Sequence, residues 1–244
     1  MMILNEDIVI LRIAGTFSPL ISSIAIVLST ERKDGLIRLL RPNLQWRFPL
    51  RYYLFALFST AAFSLVSIGI YTLLDREPLV FNDIKKIYLI IVVFMYVLFT
   101  SVLGEETGWR GFALPILQNR FGPLKASVIL GLIWGMWHLP LFLIQGNFHS
   151  HIPFLLFLVQ EIALSIVITW LYNSTAGSLL IVHIFHSASN TTVGVLPILP
   201  YPPRNDLLPL YLICSLLILF SLFLILTNRL DSSFNKKEIV TDEV

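Results

Sequence analysis

Apolar residues along this chain fall into seven long runs separated by short polar segments, at residues 8–30, 49–74, 87–118, 124–145, 152–172, 177–198 and 206–228. A helix needs about 20 apolar residues to cross the hydrocarbon core of a bilayer. The pattern therefore predicts an all-α fold, a polytopic transmembrane helical bundle of seven spans. The third run is too long for a simple crossing: a straight helix over it would reach about 48 Å. It is expected to tilt, to kink near Gly104, Gly108 and Gly111, or to break into two pieces, which would make eight spans.

Composition supports the membrane reading. The 244 residues are 56% hydrophobic and 13% charged, whereas a soluble domain carries about 25% charged residues. A net charge of +2 gives no electrostatic support to nucleic-acid binding. Cys214 is the single cysteine, so no internal disulfide can form, and its apolar setting makes it small filler in the core or facing lipid. Glu6 and Asp7 stand where a secretory signal would carry positive charge, so residues 8–30 are expected to remain as a first span.

Basic residues orient the bundle. Arg32, Lys33, Arg38, Arg41, Arg47 and Arg51 crowd the first connection. With seven spans the same side receives Arg120, Lys125, Arg229, Lys236 and Lys237, and the other side only Arg76, Lys85, Lys86 and Arg204. Lysine and arginine are retained in the cytoplasm, so eleven against four places the N-terminus outside and the C-terminus inside. The tail after Arg229 is polar and expected to be mobile.

Few charged groups fall within the apolar runs. Among the acids these are Glu105, Glu106 and Glu161, and among the histidines His138, His183 and His186; Arg110 is the only cation deep in a run, since Arg12 lies near an end and can snorkel. Charge at membrane depth costs at least about 2.5 kcal/mol per group, so such residues normally face a cavity or a partner. Glu106 and Arg110 are four apart and can pair on one helix face. Glu105 is rotated about 100° away, with no arginine on its own face. Two readings are open here: a structural ion-pair knot at a helix end, or a general base with its support.

In "LIWGMWHLPLF", His138 stands one turn after Trp134, and Pro140 loosens the helix beyond it. In "VHIFHSASN", His183, His186 and Asn190 fall at i, i+3 and i+7, on one stripe. His186 and Asn190 can both donate hydrogen bonds to a developing oxyanion, with His183 as a support behind them. The plainer reading is a polar seam joining two helices. Glu161 belongs to no motif and is expected to be structural, lining the same cavity or pairing with Arg110 or a histidine. His149 and His151 are expected to be solvated in a short loop. Trp109, Trp134 and Trp137 are expected to serve packing or the interface rather than ligand contact.

Glu105-Glu106-x-x-x-Arg110, then His138, then His186-x-x-x-Asn190, on successive spans, resembles the CPBP intramembrane protease family. That family includes the type II CAAX prenyl endopeptidases and Abi-like bacterial proteins tied to bacteriocin processing or self-immunity. The resemblance covers 87–198 as the catalytic core, leaving 1–86 as N-terminal transmembrane helices and 199–244 as a C-terminal helix with a polar tail. It implies that Glu105 activates water together with His138, that Glu106 and Arg110 are the supporting pair, and that His186 and Asn190 hold the oxyanion. It also implies a peptide or protein substrate, prenylated or a leader peptide, and a place in a bacterial cell membrane. One departure is visible. The family's second motif usually has phenylalanine four residues before its histidine, and Trp134 stands there, which puts the shape of the pocket in question more than its chemistry.

The expected activity is thus membrane-embedded peptide-bond hydrolysis. The zinc signature H-E-x-x-H is absent, yet Glu105, His138 and His186 can supply three ligands to zinc or another divalent ion. The metallo and metal-free readings both stay open, with the histidine–asparagine oxyanion site favouring the second. Two rivals stand beside the protease. A non-catalytic scaffold or immunity protein on the same fold would not cut peptides. An ion or solute carrier would often show internal repeats, and none stands out.

Overall fold

The computed structural model describes residues 6–74, 89–200 and 206–231. Arg76, Lys85, Lys86, Arg204, Lys236, Lys237 and the polar tail beyond 231 lie outside the described residues, as does the side chain of Arg12. The described residues are helical, with no strand among them. In chain order the helices are α1 (Glu6–Thr30), α2 (Arg32–Leu40), α3 (Leu50–Leu73), α4 (Leu89–Val97), α5 (Leu103–Gly108), α6 (Leu114–Trp137), α7 (Leu139–Phe142), α8 (Phe154–Ser174), α9 (Leu179–Val195) and α10 (Leu208–Leu226).

Among the described residues, five helical segments are long and apolar enough to cross a membrane: Ile13–Thr30, Leu50–Leu73, Ile90–Phe142, Phe154–Ser174 and Leu208–Leu226. Leu179–Val195 is a shorter apolar helix. Large apolar side chains such as Ile91, Leu132, Ile133, Leu155, Leu219 and Leu226 are exposed around the outside of the bundle. Exposed apolar surface on this scale marks a lipid-facing circumference, and the chain is a polytopic membrane protein.

The 53-residue run Ile90–Phe142 would span about 80 Å if straight. It is broken at Gly122, where φ is 77° and ψ is 167°, immediately before Pro123. Glycine alone tolerates this backbone, and proline begins the next segment without the N–H it would otherwise waste. The third apolar run itself does not break in two: it stays helical across Gly104, Gly108 and Gly111. Two π-helical turns, Leu98–Val102 and Trp109–Ala113, bracket α5 within it. Each adds a residue to its turn and re-aims the faces that follow.

The basic first connection contains more structure than its polarity suggests. It forms α2 and a 3₁₀ turn, Arg41–Leu44, and Arg38 pairs with Glu31. Ser178, the N-cap of α9, donates its hydroxyl to the carbonyl of Gln45 at 2.8 Å and accepts from the Ile181 N–H. The connection is thereby tied to the start of α9.

Apolar surface gains little by leaving lipid for a protein neighbour, so close packing and interhelical hydrogen bonds must hold such a bundle. Both occur. Ser165 donates to the Ser127 carbonyl at 2.9 Å (α8 to α6), Ser221 to Ala163 at 3.0 Å (α10 to α8) and Ser67 to Pro209 at 2.7 Å (α3 to α10). A Cβ on Gly131 would lie 2.8 Å from the Ile162 Cα, so glycine lets α6 and α8 approach. The largest buried cluster joins Leu130 and Trp134 to Val167, Leu171, Leu179 and Phe185. Cys214 is buried, on the core side of the two settings expected for it.

Gly104 and Gly108 frame the acidic pair as Gly-x-x-x-Gly. A Cβ on Gly104 would meet the Thr16 carbonyl oxygen at 2.7 Å, and one on Gly108 would meet the Pro19 carbonyl carbon at 2.4 Å. Both glycines thus lie against the α1 backbone, which cannot yield as a side chain would. Gly108→Ala is expected to cost about 1–3 kcal/mol from overpacking, read as a lower unfolding temperature in detergent. Gly69→Ala, whose Cβ meets nothing within 4 Å, should leave that temperature unchanged or raise it slightly.

Candidate active site

With α1 against the glycine side of α5, its other faces turn inward. Glu105 is 4% exposed, and Glu106 and Arg110 are fully buried. π-helical turns such as those flanking α5 occur frequently at functional sites. Glu106 and Arg110 make the i, i+4 pair expected of them, Nη1 to Oε1 at 2.7 Å. The same Oε1 accepts from Nδ1 of His186, on α9, also at 2.7 Å. One carboxylate oxygen thus ties the helix of the acidic motif to the helix of the third motif.

Glu105 is joined to α6. The indole Nε1–H of Trp134 donates to Glu105 Oε2 at 2.9 Å. Trp134 is 1% exposed, and the Arg110 guanidinium carbon lies 4.3 Å from the centre of its ring. Trp134 packs in the core as expected, and a buried indole also needs a partner for its N–H; the carboxylate is that partner. His138 ends α6, with its Nδ1 2.9 Å from the Trp134 carbonyl. A carbonyl only accepts, so Nδ1 holds the proton and Nε2 is left to take one. The Trp134 ring packs edge-on against both His138 and His186, at centroid distances of 5.8 and 5.3 Å.

Glu105, Glu106, Arg110, His138 and His186 are therefore brought together around Trp134. Of the other two residues on the α9 stripe, His183 turns elsewhere. His183 places Nε2 2.7 Å from Asn43 Oδ1, in the first connection. Three residues on a helix differ by about 300°, which is enough to turn two histidines toward different neighbours. Asn190, one turn beyond His186, is exposed. Glu161 is buried on α8 beside Gly135, and its Oε2 has no hydrogen-bond partner among the described residues. It forms no hydrogen bond with Arg110 or a histidine among those residues. Arg110 Nε and Nη2 are likewise without hydrogen-bond partners there.

His149 was expected in solvent and is 6% exposed. Gly146, at φ 79°, turns the chain after α7, and Asn147 caps the 3₁₀ turn Phe148–His151 with its Oδ1 on the His149 N–H and ring Nδ1. The turn lays the His149 ring over His138, centroids 6.0 Å apart and 26° from parallel, with Phe157 edge-on to both. The polar sequence "QGNFHSH" signals a loop. The aromatic residues Phe142, Phe148 and Phe157, which are the ones that bury His149, are the sequence sign that it was not solvated. His151 is exposed as expected.

Nδ1 of His186 is engaged by Glu106 and Nδ1 of His138 by a carbonyl, so only Nε2 of each ring is left as a ligating nitrogen. Among the described residues no three His, Cys, Asp or Glu side chains are grouped to hold an ion. The metalloprotease reading is unsupported, and no reaction step is routed through a metal.

Comparison with known proteins follows this geometry. The sequence pattern of the Rce1-like type II CAAX prenyl endopeptidases matches residues 87–192, which contain every residue gathered around Trp134. CAAX prenyl protease 2 of Methanococcus maripaludis is 29% identical over 132 residues, 52% of this chain and 49% of that protein. The match thus spans about half the length of this relative. The segment that carries the buried acidic pair and both inward histidines is thus similar to the Rce1-like type II CAAX prenyl endopeptidases.

Proposed function

We propose that this protein is an intramembrane endopeptidase whose catalytic core is 87–198. Glu105 and His138 activate a water molecule in this reading, and no metal takes part. The observation that carries it is the carboxylate of Glu106 bonded at once to Arg110 and His186, which draws α5 and α9 around the indole that holds Glu105. A polar knot of this kind is costly inside a bundle, and its residues are those the family's motifs contain.

In the proposed reaction Glu105 takes a proton from water, with Nε2 of His138 directing it. The oxygen bonds to the scissile carbonyl carbon, and the carbonyl oxygen becomes an oxyanion. His186 and Asn190 donate to that oxygen. His186 already gives Nδ1–H to Glu106, so Nε2 donates only when it too carries a proton. The C–N bond then breaks, and the leaving nitrogen takes the proton from Glu105. The products are a carboxylic acid and an amine, which exchange a proton to leave as carboxylate and ammonium.

The family and the name of the archaeal relative make a prenylated protein with a C-terminal CAAX sequence the first substrate class to test; a leader peptide is the second. Dividing the long helical run at Gly122 and counting α9 gives seven spans, with the N-terminus outside. Purified protein in detergent is expected to cut a farnesylated CAAX peptide, read by mass spectrometry, and the Glu105→Gln protein is expected not to. Comparing peptide termini in cells carrying either form extends the test to unknown substrates. Equal products from both forms would remove the proposal; solute uptake into sealed vesicles without cleavage would replace it with a carrier.

A further inference from the structure

Trp134 stands where the family that this sequence resembles usually has phenylalanine, and the difference lies in one N–H. The ring alone would form an aromatic wall, as phenylalanine does. The indole adds a donor, and that donor is bonded to the carboxylate assigned above as the base, at 2.9 Å. We propose that Trp134 is a positioning residue that sets the orientation of Glu105 through its Nε1–H, a role phenylalanine cannot fill. The proposal rests on the reading of Glu105 as the base.

Three features support it. Glu105 and Trp134 are almost wholly buried, at 4% and 1% exposed, so no bulk water competes for the bond. Hydrogen bonds to an ionised acceptor are roughly twice as strong as neutral ones. The Arg110 guanidinium lies against the face of the same indole, 4.3 Å from its centre. Positive charge there draws electron density from the ring and strengthens the N–H as a donor, as linked polar groups polarise one another. Arg110 lacks a place on Glu105's own helix face, yet it acts on Glu105 through the indole.

Trp134 is also placed to coordinate the two proton-handling groups. Its side chain holds Glu105, and its backbone carbonyl holds Nδ1 of His138 at 2.9 Å. One residue therefore sets both partners of the proposed water. A general base with freely rotating bonds spends little time aligned, and small misplacements cost rate steeply. The glutamate side chain has several such bonds, and the indole restricts them.

The test replaces Trp134 with benzothienylalanine, which has the same bicyclic shape with sulfur in place of N–H, and in parallel makes Trp134→Phe. The isostere is expected to keep the wild-type unfolding temperature and KM within about twofold while kcat falls about 10- to 100-fold, the range for one hydrogen bond to a charged group. Wild-type kcat in the isostere, or a loss confined to KM, would overturn the role. A second measurement needs no catalysis. In ¹⁵N-tryptophan-labelled protein, the Trp134 indole N–H signal, assigned by its absence in Trp134→Phe, should shift when Glu105→Gln is introduced. An unmoved signal would show that the bond does not exist. If the wild type cuts no peptide, the protease reading fails while this signal still decides whether the indole holds Glu105.

Discussion

The Glu105→Gln protein is expected to insert, fold and melt like the wild type, yet to cleave peptide at least about 100-fold more slowly, the lower range for losing a general base. Glutamine has the shape of glutamate, and its amide oxygen can still accept from the Trp134 indole, so packing around the site is preserved. What is lost is the ability to accept a proton at neutral pH. Because Glu106 bonds both Arg110 and His186, neutralising Glu105 leaves the Glu106–Arg110–His186 cluster in place. Thermal unfolding in detergent and single-turnover cleavage, measured on one preparation, separate the two effects. Cleavage within tenfold of wild type would assign the proton transfer elsewhere.

Glu106→Ala should behave in the opposite sense, with instability as its main symptom. It is expected to lose about 3–5 kcal/mol, the usual cost of breaking a buried charge pair by removing one partner. The Glu106 side chain and Arg110 are fully buried and His186 nearly so. Alanine would leave the guanidinium with no carboxylate on its helix face and no solvent to replace it. It would also release the Nδ1–H of His186 and with it the link between α5 and α9. The measurement is the unfolding temperature, supported by protease sensitivity of the region around α9. Replacing both partners, Glu106→Leu with Arg110→Met, should recover much of the stability and none of the activity, because an apolar pair removes the unpaired charge. A double mutant no more stable than Glu106→Ala would show that the pair does not carry the fold in this way.

These two predictions differ because adjacent glutamates play different parts, and that division was partly legible from spacing. Four residues separate Glu106 from Arg110 and only Glu106 shares its face, so their pairing follows from helical geometry. The glycines of "GEETG" were also readable as small residues one turn apart, but their partner was not: nothing in the local sequence says that Pro19 and Thr16 of α1 press against them. The partner of Glu105 was hidden for the same reason. Trp134 is 29 residues away, and only packing of α6 beside α5 brings its N–H to the carboxylate.

Histidines illustrate the limit most clearly. His183 and His186 lie three apart and looked like members of one stripe, yet one reaches Asn43 and the other Glu106. His149 sits in a polar loop and nevertheless packs on His138. Periodicity along one helix gives relative direction, not the identity of the neighbour in that direction.

The sequence by itself determined the helical class, the lipid setting and which charged groups must find partners, because hydrocarbon penalises any backbone or side-chain polarity left unsatisfied. Only the tertiary structure decided which partners those were. Helices in lipid are free to rotate and slide against one another until small residues and polar contacts lock them, and the rotation chosen here turns Glu106 to His186 and Glu105 to Trp134.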